Sequence, residues 1–562
     1  MKNRILFTLL IIFLCTDKVY TETRPYWIFF TDRGDINVER EIAAKIASST
    51  EPKNSSRRAR VFRSEQLFNE TDVKVNPEYI AAVTEISGSL RTVTRFLNGV
   101  SVELDEEGLK RVKIMPFLRE VRPLKVFRES IEPEPVELMR PGREEKEIEY
   151  GNSFDQLNMI DIIKMHKLGY MGSGILIAVL DSGFDNLEHA VFDSARIVDM
   201  WDFVDNDNNP VGDNHGTEVL SVIAALDQGT MIGAAPYAAY LLARTEIVEN
   251  NKEIRAEEDN WVKAIEWADS LGADIVNSSL GYTTFDDGSG YTYSDLDGDT
   301  AVTTIAADAA AAKGMIIVNS AGNEGDTSWY YVTTPADGDS VLAIGSVNRD
   351  TIVSQFSSRG PTFDGRIKPD FVALGENVWI VNTSGHNTYK FASGTSFAAP
   401  AVSGAVALLL EVHPLWDFDK LKDELISGAH NARADSLYGY GIVDTFAASG
   451  LEQPAPVATR FSVYDPYPQP ITFSETNRWI YFPVSIPVEG RTLIIKIFNF
   501  TGENIQTLES PVTRSGLLRD PGYAPNWDGT NFSGEHVAPG IYFYSIRLFG
   551  YDTYTGKIMV MR

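Results

Sequence analysis

Ile175-Leu176-Ile177-Ala178-Val179-Leu180 runs without a polar residue into Asp181-Ser182-Gly183, an apolar strand closed by a carboxylate and a glycine turn. Further short apolar runs follow at Asp274–Leu280, Met315–Val318 and Val341–Val347. Longer stretches with helical patterning, Thr217–Leu226, Asp259–Leu271 and Ala301–Lys313, lie between them. Apolar strands separated by helices predict a parallel sheet covered by helices on both faces. Residues 151–450 would form this α/β domain, which at about 300 residues is near the upper limit for one hydrophobic core.

The whole chain has 562 residues, of which 43% are hydrophobic and 11% aromatic, a composition able to bury several cores and unlike that of a disordered chain. Lys and Arg number 50 against 78 Asp and Glu, a net charge of −28. That balance argues against non-specific nucleic-acid binding and against docking on an anionic membrane, since both need a basic excess. The single cysteine, Cys15, excludes an internal disulfide framework and a cysteine-based zinc site.

Outward from the α/β segment the composition changes on both sides. Lys2 and Arg4 precede the apolar run Ile5–Cys15, as in a secretory signal peptide (residues 1–22), with a buried N-terminal strand as the alternative. Residues 24–128 mix strand candidates, Tyr26-Trp27-Ile28-Phe29-Phe30 and Val100–Leu104, with a helical stretch from Glu106, an α+β pattern. Residues 129–150 form a charged linker containing Pro133, Pro135 and Pro141. Beyond a second linker, Glu452-Gln453-Pro454-Ala455-Pro456, residues 457–562 are strand-rich, with turn signals at Glu489-Gly490, Trp527-Asp528-Gly529 and Pro539-Gly540. An antiparallel β-sandwich is expected there. No apolar run after the signal is expected to cross a membrane, so the mature chain is expected to lack a transmembrane segment.

Three motifs of the α/β segment are bland singly and specific together. Asp181 could be a turn residue; in Asn214-His215-Gly216-Thr217 the histidine could be a helix cap; and Ser393-Gly394-Thr395-Ser396-Phe397-Ala398-Ala399-Pro400 could open a packed helix with Pro400 in its first turn. Acyl transfer by serine needs a hydroxyl, a neutral imidazole to take its proton and a carboxylate to orient that imidazole. Asp, His and Ser occur here in that chain order, each at a strand end or a helix start, where parallel sheets gather their sites.

These segments closely resemble the subtilisin-like (subtilase) serine peptidases. The resemblance implies Asp181 as orienting carboxylate, His215 as general base and Ser396 as nucleophile. Asn319-Ser320-Ala321-Gly322-Asn323 directly follows the strand Met315–Val318, and Asn323 would be the side-chain oxyanion donor beside the Ser396 N–H. Ser279-Leu280-Gly281 resembles the family's substrate-pairing edge strand, and Ala321-Gly322 its pocket wall. An extended protein or peptide substrate is implied. The wall carries no charge, which predicts apolar or aromatic side chains before the cut, although Glu324 and Asp326 lie nearby. No organic cofactor is required.

The flanks carry looser likenesses. Asn98-Gly99-Val100-Ser101-Val102-Glu103-Leu104 and Met115-Pro116-Phe117-Leu118-Arg119-Glu120-Val121 resemble the subtilase propeptide, implying an intramolecular inhibitor and a maturation cut near Glu149-Tyr150-Gly151, after Tyr150; an α+β accessory domain is the alternative. Asn526-Trp527-Asp528-Gly529, Val537-Ala538-Pro539-Gly540-Ile541-Tyr542-Phe543-Tyr544 and the ending Gly556–Arg562 resemble C-terminal sorting domains of secreted bacterial proteins. That implies contact with bacterial secretion machinery, against a plain adhesion module. Asp205, Asp207, Asp213 and Asp295-Leu296-Asp297-Gly298-Asp299 could bind calcium or be solvated loops; the second run lacks the later bidentate Glu of a calcium loop. Taken together, the chain reads as a secreted serine endopeptidase made as a zymogen. A surface binding protein on a catalytically silent peptidase fold is the alternative. A glutamate-based (sedolisin-like) peptidase is disfavoured by His215-Gly216-Thr217.

Overall fold

Tyr26 to Phe30 lies in β1 (Arg24–Phe30), whose two faces bury against different partners. Successive strand side chains point oppositely. Ile28 and Phe30 join the core beneath the helices α1 (Pro77–Ser87) and α2 (Glu106–Lys113), with Val83, Val100, Val102 and Val112. Trp27 and Phe29 point the other way, into a core shared with the large α/β domain. β1 sits inside an antiparallel sheet ordered β2 (Leu90–Thr94), β3 (Gly99–Leu104), β1, β4 (Leu118–Pro123). The computed structural model describes residues 23–48, 57–58, 60–61, 68–123, 148–248, 254–285, 288–430, 434–451, 461–473, 478–487, 492–511, 516–518, 524–548, 551 and 553–561. The expected signal segment 1–22 and residues 129–147 of the expected linker lie outside them.

The run from Ile175 forms β5 (Leu176–Asp181), every residue of which is buried. Ile177 and Val179 face one core, with Val219, Val222, Val402 and Val406; Leu176, Ala178 and Leu180 face the other, with Trp261, Ile265, Ala306 and Ala310. A strand buried on both faces needs no polar alternation, which is why the run is apolar throughout. Its sheet is seven-stranded and parallel, ordered β11 (Phe371–Leu374), β10 (Val341–Val347), β9 (Ile316–Ser320), β8 (Ile275–Ser278), β5, β7 (Ala239–Arg244), β6 (Arg196–Asp202). Helices α3 (His215–Ala224) and α6 (Thr395–Val412) contribute to the first core, and α4 (Ala256–Leu271) and α5 (Val302–Ala311) to the second. Strand order reverses around β5, so Asp181 ends a strand at the switch point, where open α/β sheets form their crevice.

α6 is apolar and long enough to span a bilayer by composition, yet it is packed inside the domain. Pro400 lies inside this helix rather than in its first turn. Its missing N–H leaves the Ser396 carbonyl, four residues back, without a helical donor. The Ser279 hydroxyl donates to that carbonyl instead, at 3.0 Å.

Beyond residue 461 the chain forms antiparallel sheets around a separate core of Phe482, Ile495, Ile497, Trp527, Ile546 and Leu548. The largest is ordered β13 (Asn504–Pro511), β12 (Thr492–Phe498), β14 (Gly540–Leu548), β15 (Thr553–Val560). Trp527-Asp528-Gly529 is a turn built by its own side chains. The Trp527 indole donates to the Thr530 carbonyl at 2.8 Å, and Asp528 accepts from the Thr530 N–H at 3.0 Å.

Candidate active site

β5 delivers the Asp181 carboxylate, fully buried, to the mouth of the sheet. Its Oδ1 accepts from the Ser182 N–H at 2.8 Å and lies 2.6 Å from Nδ1 of His215. The imidazole starts α3, and Gly216 allows that approach: a Cβ there would stand 2.4 Å from the Gly183 carbonyl oxygen and 2.9 Å from the Asp181 Cβ. Burial works against the imidazolium. The Asp181 carboxylate, with Glu218 and Asp213 behind it, more than offsets this and pushes the His215 pKa up to about 9.

Ser396 sits in the first turn of α6 and is 8% exposed. Its hydroxyl donates to the Ser279 carbonyl at 3.4 Å, and among the described residues no hydrogen bond joins it to His215. The His215 ring nevertheless flanks the next side chain, Phe397, with centroids 6.0 Å apart. Asn323 is tethered through Oδ1, which accepts from the Thr395 N–H at 2.9 Å and the Thr395 hydroxyl at 3.0 Å. A Cβ built on Gly394 would lie 3.7 Å from both Asn323 Nδ2 and the Ser396 nitrogen, so two N–H donors flank one unfilled space. The Ser396 N–H, in the opening turn of a helix, has no partner within that helix.

Ser279, Leu280 and Gly281 continue past the end of β8. Ser279 is spent on both backbone and hydroxyl of Ser396, and the Leu280 carbonyl accepts from the Asn319 amide at 2.9 Å. Ala321 and Gly322 follow β9 on the neighbouring side. Between these segments stands a residue that the motifs did not single out. A Cβ on Gly281 would lie 2.1 Å from the Thr333 hydroxyl oxygen, and one on Gly322 would lie 2.8 Å from its methyl. The Thr333 hydroxyl is buried and has no hydrogen-bond partner among the described residues. Two glycines converging on one side chain are a spatial signal that no local pattern contains.

The acidic runs do not converge. Asp205 pairs with Arg244 at 2.9 Å, Asp213 accepts from the Ser182 hydroxyl at 2.6 Å, and Asp207 accepts from the Asn209 N–H. Asp295 accepts from the Thr292 N–H, and Asp297 from the Asp299 N–H and the Thr300 hydroxyl. Among the described residues these carboxylates form no single cluster, and their oxygens answer local N–H, O–H and guanidinium groups. Asp161, His430 and Asp444 do come together, with ligand atoms within 4.8 Å of one another. There Lys164 already donates to Asp161 at 2.7 Å.

A parallel sheet of this order with helices on both faces defines the class, an α/β serine protease of subtilisin type. Residues 172–441 match the subtilase family (peptidase S8), and residues 25–136 match the S8 propeptide domain of Bacteroidota. The chain is 30% identical to subtilisin E of Bacillus subtilis (strain 168) over 372 residues, 65% of this chain and 84% of that one. It is 32% identical to the subtilisin of Bacillus pumilus over 298 residues, 52% of this chain and 97% of that one. The crystal structure of fervidolysin from Fervidobacterium pennivorans, a keratinolytic enzyme related to subtilisin, superimposes with a TM-score of 0.54 at 18% identity, covering 94% of this chain and 71% of that one, a likeness of fold. The chain belongs to the subtilase family, and it carries the family's propeptide domain on its N-terminal side.

Proposed function

We propose that the chain is a secreted serine endopeptidase, made as a zymogen, that cleaves through Asp181, His215 and Ser396. The 2.6 Å contact between Asp181 and His215 at the mouth of the sheet carries the reading. It engages Nδ1, which leaves Nε2 as the end of the ring that takes a proton. His215 takes the proton of Ser396 Oγ as that oxygen attacks the substrate carbonyl. The oxyanion forms in the space beside Gly394, where Asn323 Nδ2 and the Ser396 N–H donate to it. His215 then protonates the leaving amine, and water hydrolyses the acyl-enzyme. Substrate binding draws Ser396 Oγ from the Ser279 carbonyl toward the imidazole; loose catalytic hydrogen bonds are common before substrate binds. Ser279-Leu280-Gly281 would pair with the substrate main chain, and Ala321-Gly322 would wall the pocket for the residue before the cut.

In this reading residues 1–22 are a signal peptide, 24–128 the inhibitory propeptide, 129–150 the linker holding the maturation cut, 151–450 the peptidase and 457–562 a sorting or attachment domain that meets secretion machinery. The product is extracellular or on the cell surface. We read the end of that linker differently, with Tyr150 as part of the peptidase and the cut upstream of it. It is 6% exposed, stacks on His166 at 5.8 Å and lies 3.2 Å from its Nδ1 through the hydroxyl, while the Glu149 carbonyl accepts from the Gly229 N–H at 2.8 Å. Residues so seated would stay with the peptidase, which supports a cut before Ile148.

Expression of the wild type beside Ser396→Ala tests the function. The wild type is expected to lose its N-terminal segment and to take a fluorophosphonate label on Ser396; Ser396→Ala does neither. Equal processing of both and an unlabelled matured wild type would favour the silent binding protein.

A further inference from the structure

The propeptide domain and the peptidase meet at a second place, on the edge of the sheet opposite the cleft. Asp274 locates it, since its Oδ2 accepts from the N–H of Leu176, the first residue of β5, whereas Asp181 is the last. Six strand residues put these two edges about 17 Å apart.

At that far edge three propeptide arginines converge on one peptidase carboxylate. Asp269, near the C-terminal end of α4, is fully buried. Arg57 donates to it, Arg58 Nη2 lies 2.9 Å from both its oxygens, and Arg95 Nη2 lies 2.9 Å from Oδ2. The pairing is reciprocal. The propeptide's Asp72 takes the Arg58 fork in two bonds of 2.8 Å and the ammonium of peptidase Lys313 at 2.6 Å. Arg57 also donates to the Ala273 carbonyl at 2.8 Å, and Arg60 to Asp274 at 2.8 Å. The side chains of Arg57, Arg58, Asp72, Asp269 and Lys313 are each at most 1% exposed. Arg95, partly exposed, continues the network to Glu266 at 3.3 Å.

Charges this dry are stable only with their partners, and removing one partner is far costlier than losing an exposed pair. A partner that covered this face without arginines at these positions would leave buried Asp269 with only the peptidase's own Lys313, whose ammonium lies 3.9 Å from Oδ2, a strong selection against it. We propose that Asp269 is a charge lock: an arginine-selective socket, remote from the cleft, that holds the chain's own propeptide on the peptidase after the linker is cut and sets how long inhibition lasts. This rests on the reading of the chain as a self-processing peptidase.

The test uses the full active chain. Wild type, Asp269→Asn and Arg95→Gln are each followed for self-cleavage, for co-elution of the cut propeptide on size exclusion, and for the lag before a short chromogenic peptide is hydrolysed. The expected result is that Asp269→Asn sheds the propeptide and shortens the lag about 100-fold or more. Arg95→Gln, which removes the most exposed arm, is expected to shorten it less. The same substitutions in the Ser396→Ala chain, which stays uncut, report folding through melting temperature. If Asp269→Asn fails to fold there, Arg95→Gln decides by its lag alone. Wild-type lag and co-elution in the folded variants would overturn the lock while leaving the peptidase reading intact. Failure of the wild type to cleave itself would overturn both.

Discussion

Nδ1 of His215 lies 2.6 Å from Oδ1 of Asp181, and the other carboxylate oxygen, Oδ2, is buried without a hydrogen-bond partner among the described residues. The carboxylate is therefore held at one oxygen by the Ser182 N–H and the imidazole together. Asp181→Asn keeps the shape but can present an N–H to Nδ1, favouring the wrong tautomer. It is expected to lower kcat by about 10⁴ with little change in KM, as read by steady-state kinetics on a peptide substrate.

The same contact sets the pH profile. His215 acts only when neutral, and Asp181 raises its pKa to about 9. kcat/KM is therefore expected to climb with pH, about tenfold per unit below that pKa, and to level off above pH 9. In Asp181→Asn the rising limb should move down toward the ordinary histidine value of about 6.5. A wild-type limb already complete at pH 7 would mean that burial outweighs the Asp181 carboxylate at His215.

Asn323 offers Nδ2 to the space beside Gly394 while Oδ1 holds Thr395. Asn323→Ala is expected to cut kcat by about 10²–10³, a magnitude known from subtilisin itself, and to leave KM nearly unchanged. A loss confined to KM would mean that the amide binds substrate in its ground state.

Thr333 fills the gap between Gly281 and Gly322. With Ala321-Gly322 as the proposed pocket wall, a side chain there would shorten the pocket, so the wild type is expected to favour small and mid-sized apolar residues before the cut. Thr333→Gly should raise kcat/KM for phenylalanine or tyrosine relative to alanine by about tenfold or more. Profiling with a set of peptides varied at that one position measures the ratio.

Tyr150 is seated against His166, its hydroxyl 3.2 Å from Nδ1, which underlies the proposed N-terminus. N-terminal sequencing of the matured protein is expected to find a start at or before Ile148. A start at Gly151 would show that Tyr150 leaves with the propeptide, and the matured enzyme should then melt at a lower temperature.

Legibility of the sequence followed burial. Val341–Val347 was readable end to end, because β10 is covered on both faces and only Ser346 interrupts its apolar run. β6 was not, since Arg196, Asp199 and Asp202 interrupt an edge strand that is largely exposed. α3 begins two residues earlier than its apolar pattern, at His215 itself, whose place in the first turn comes from the approach of Gly216 to Asp181. Asp181, His215, Asn323 and Ser396 could be named because each sits in a short local motif. Thr333 and Asp269 could not: the first matters through two glycines that are distant in sequence, and the second reads as one more acid on a solvated helix face until arginines more than 170 residues away reach it.

The sheet containing β1 is finished on one side by its own helices and on the other only by the peptidase, whose core receives Trp27 and Phe29. Once detached, it would be a half-built module showing bare aromatic rings to water, open to digestion by the enzyme it had just left. Under the proposed self-processing, activation would work as a ratchet: every departing inhibitor would become food for its former host, and the switch would have no way back.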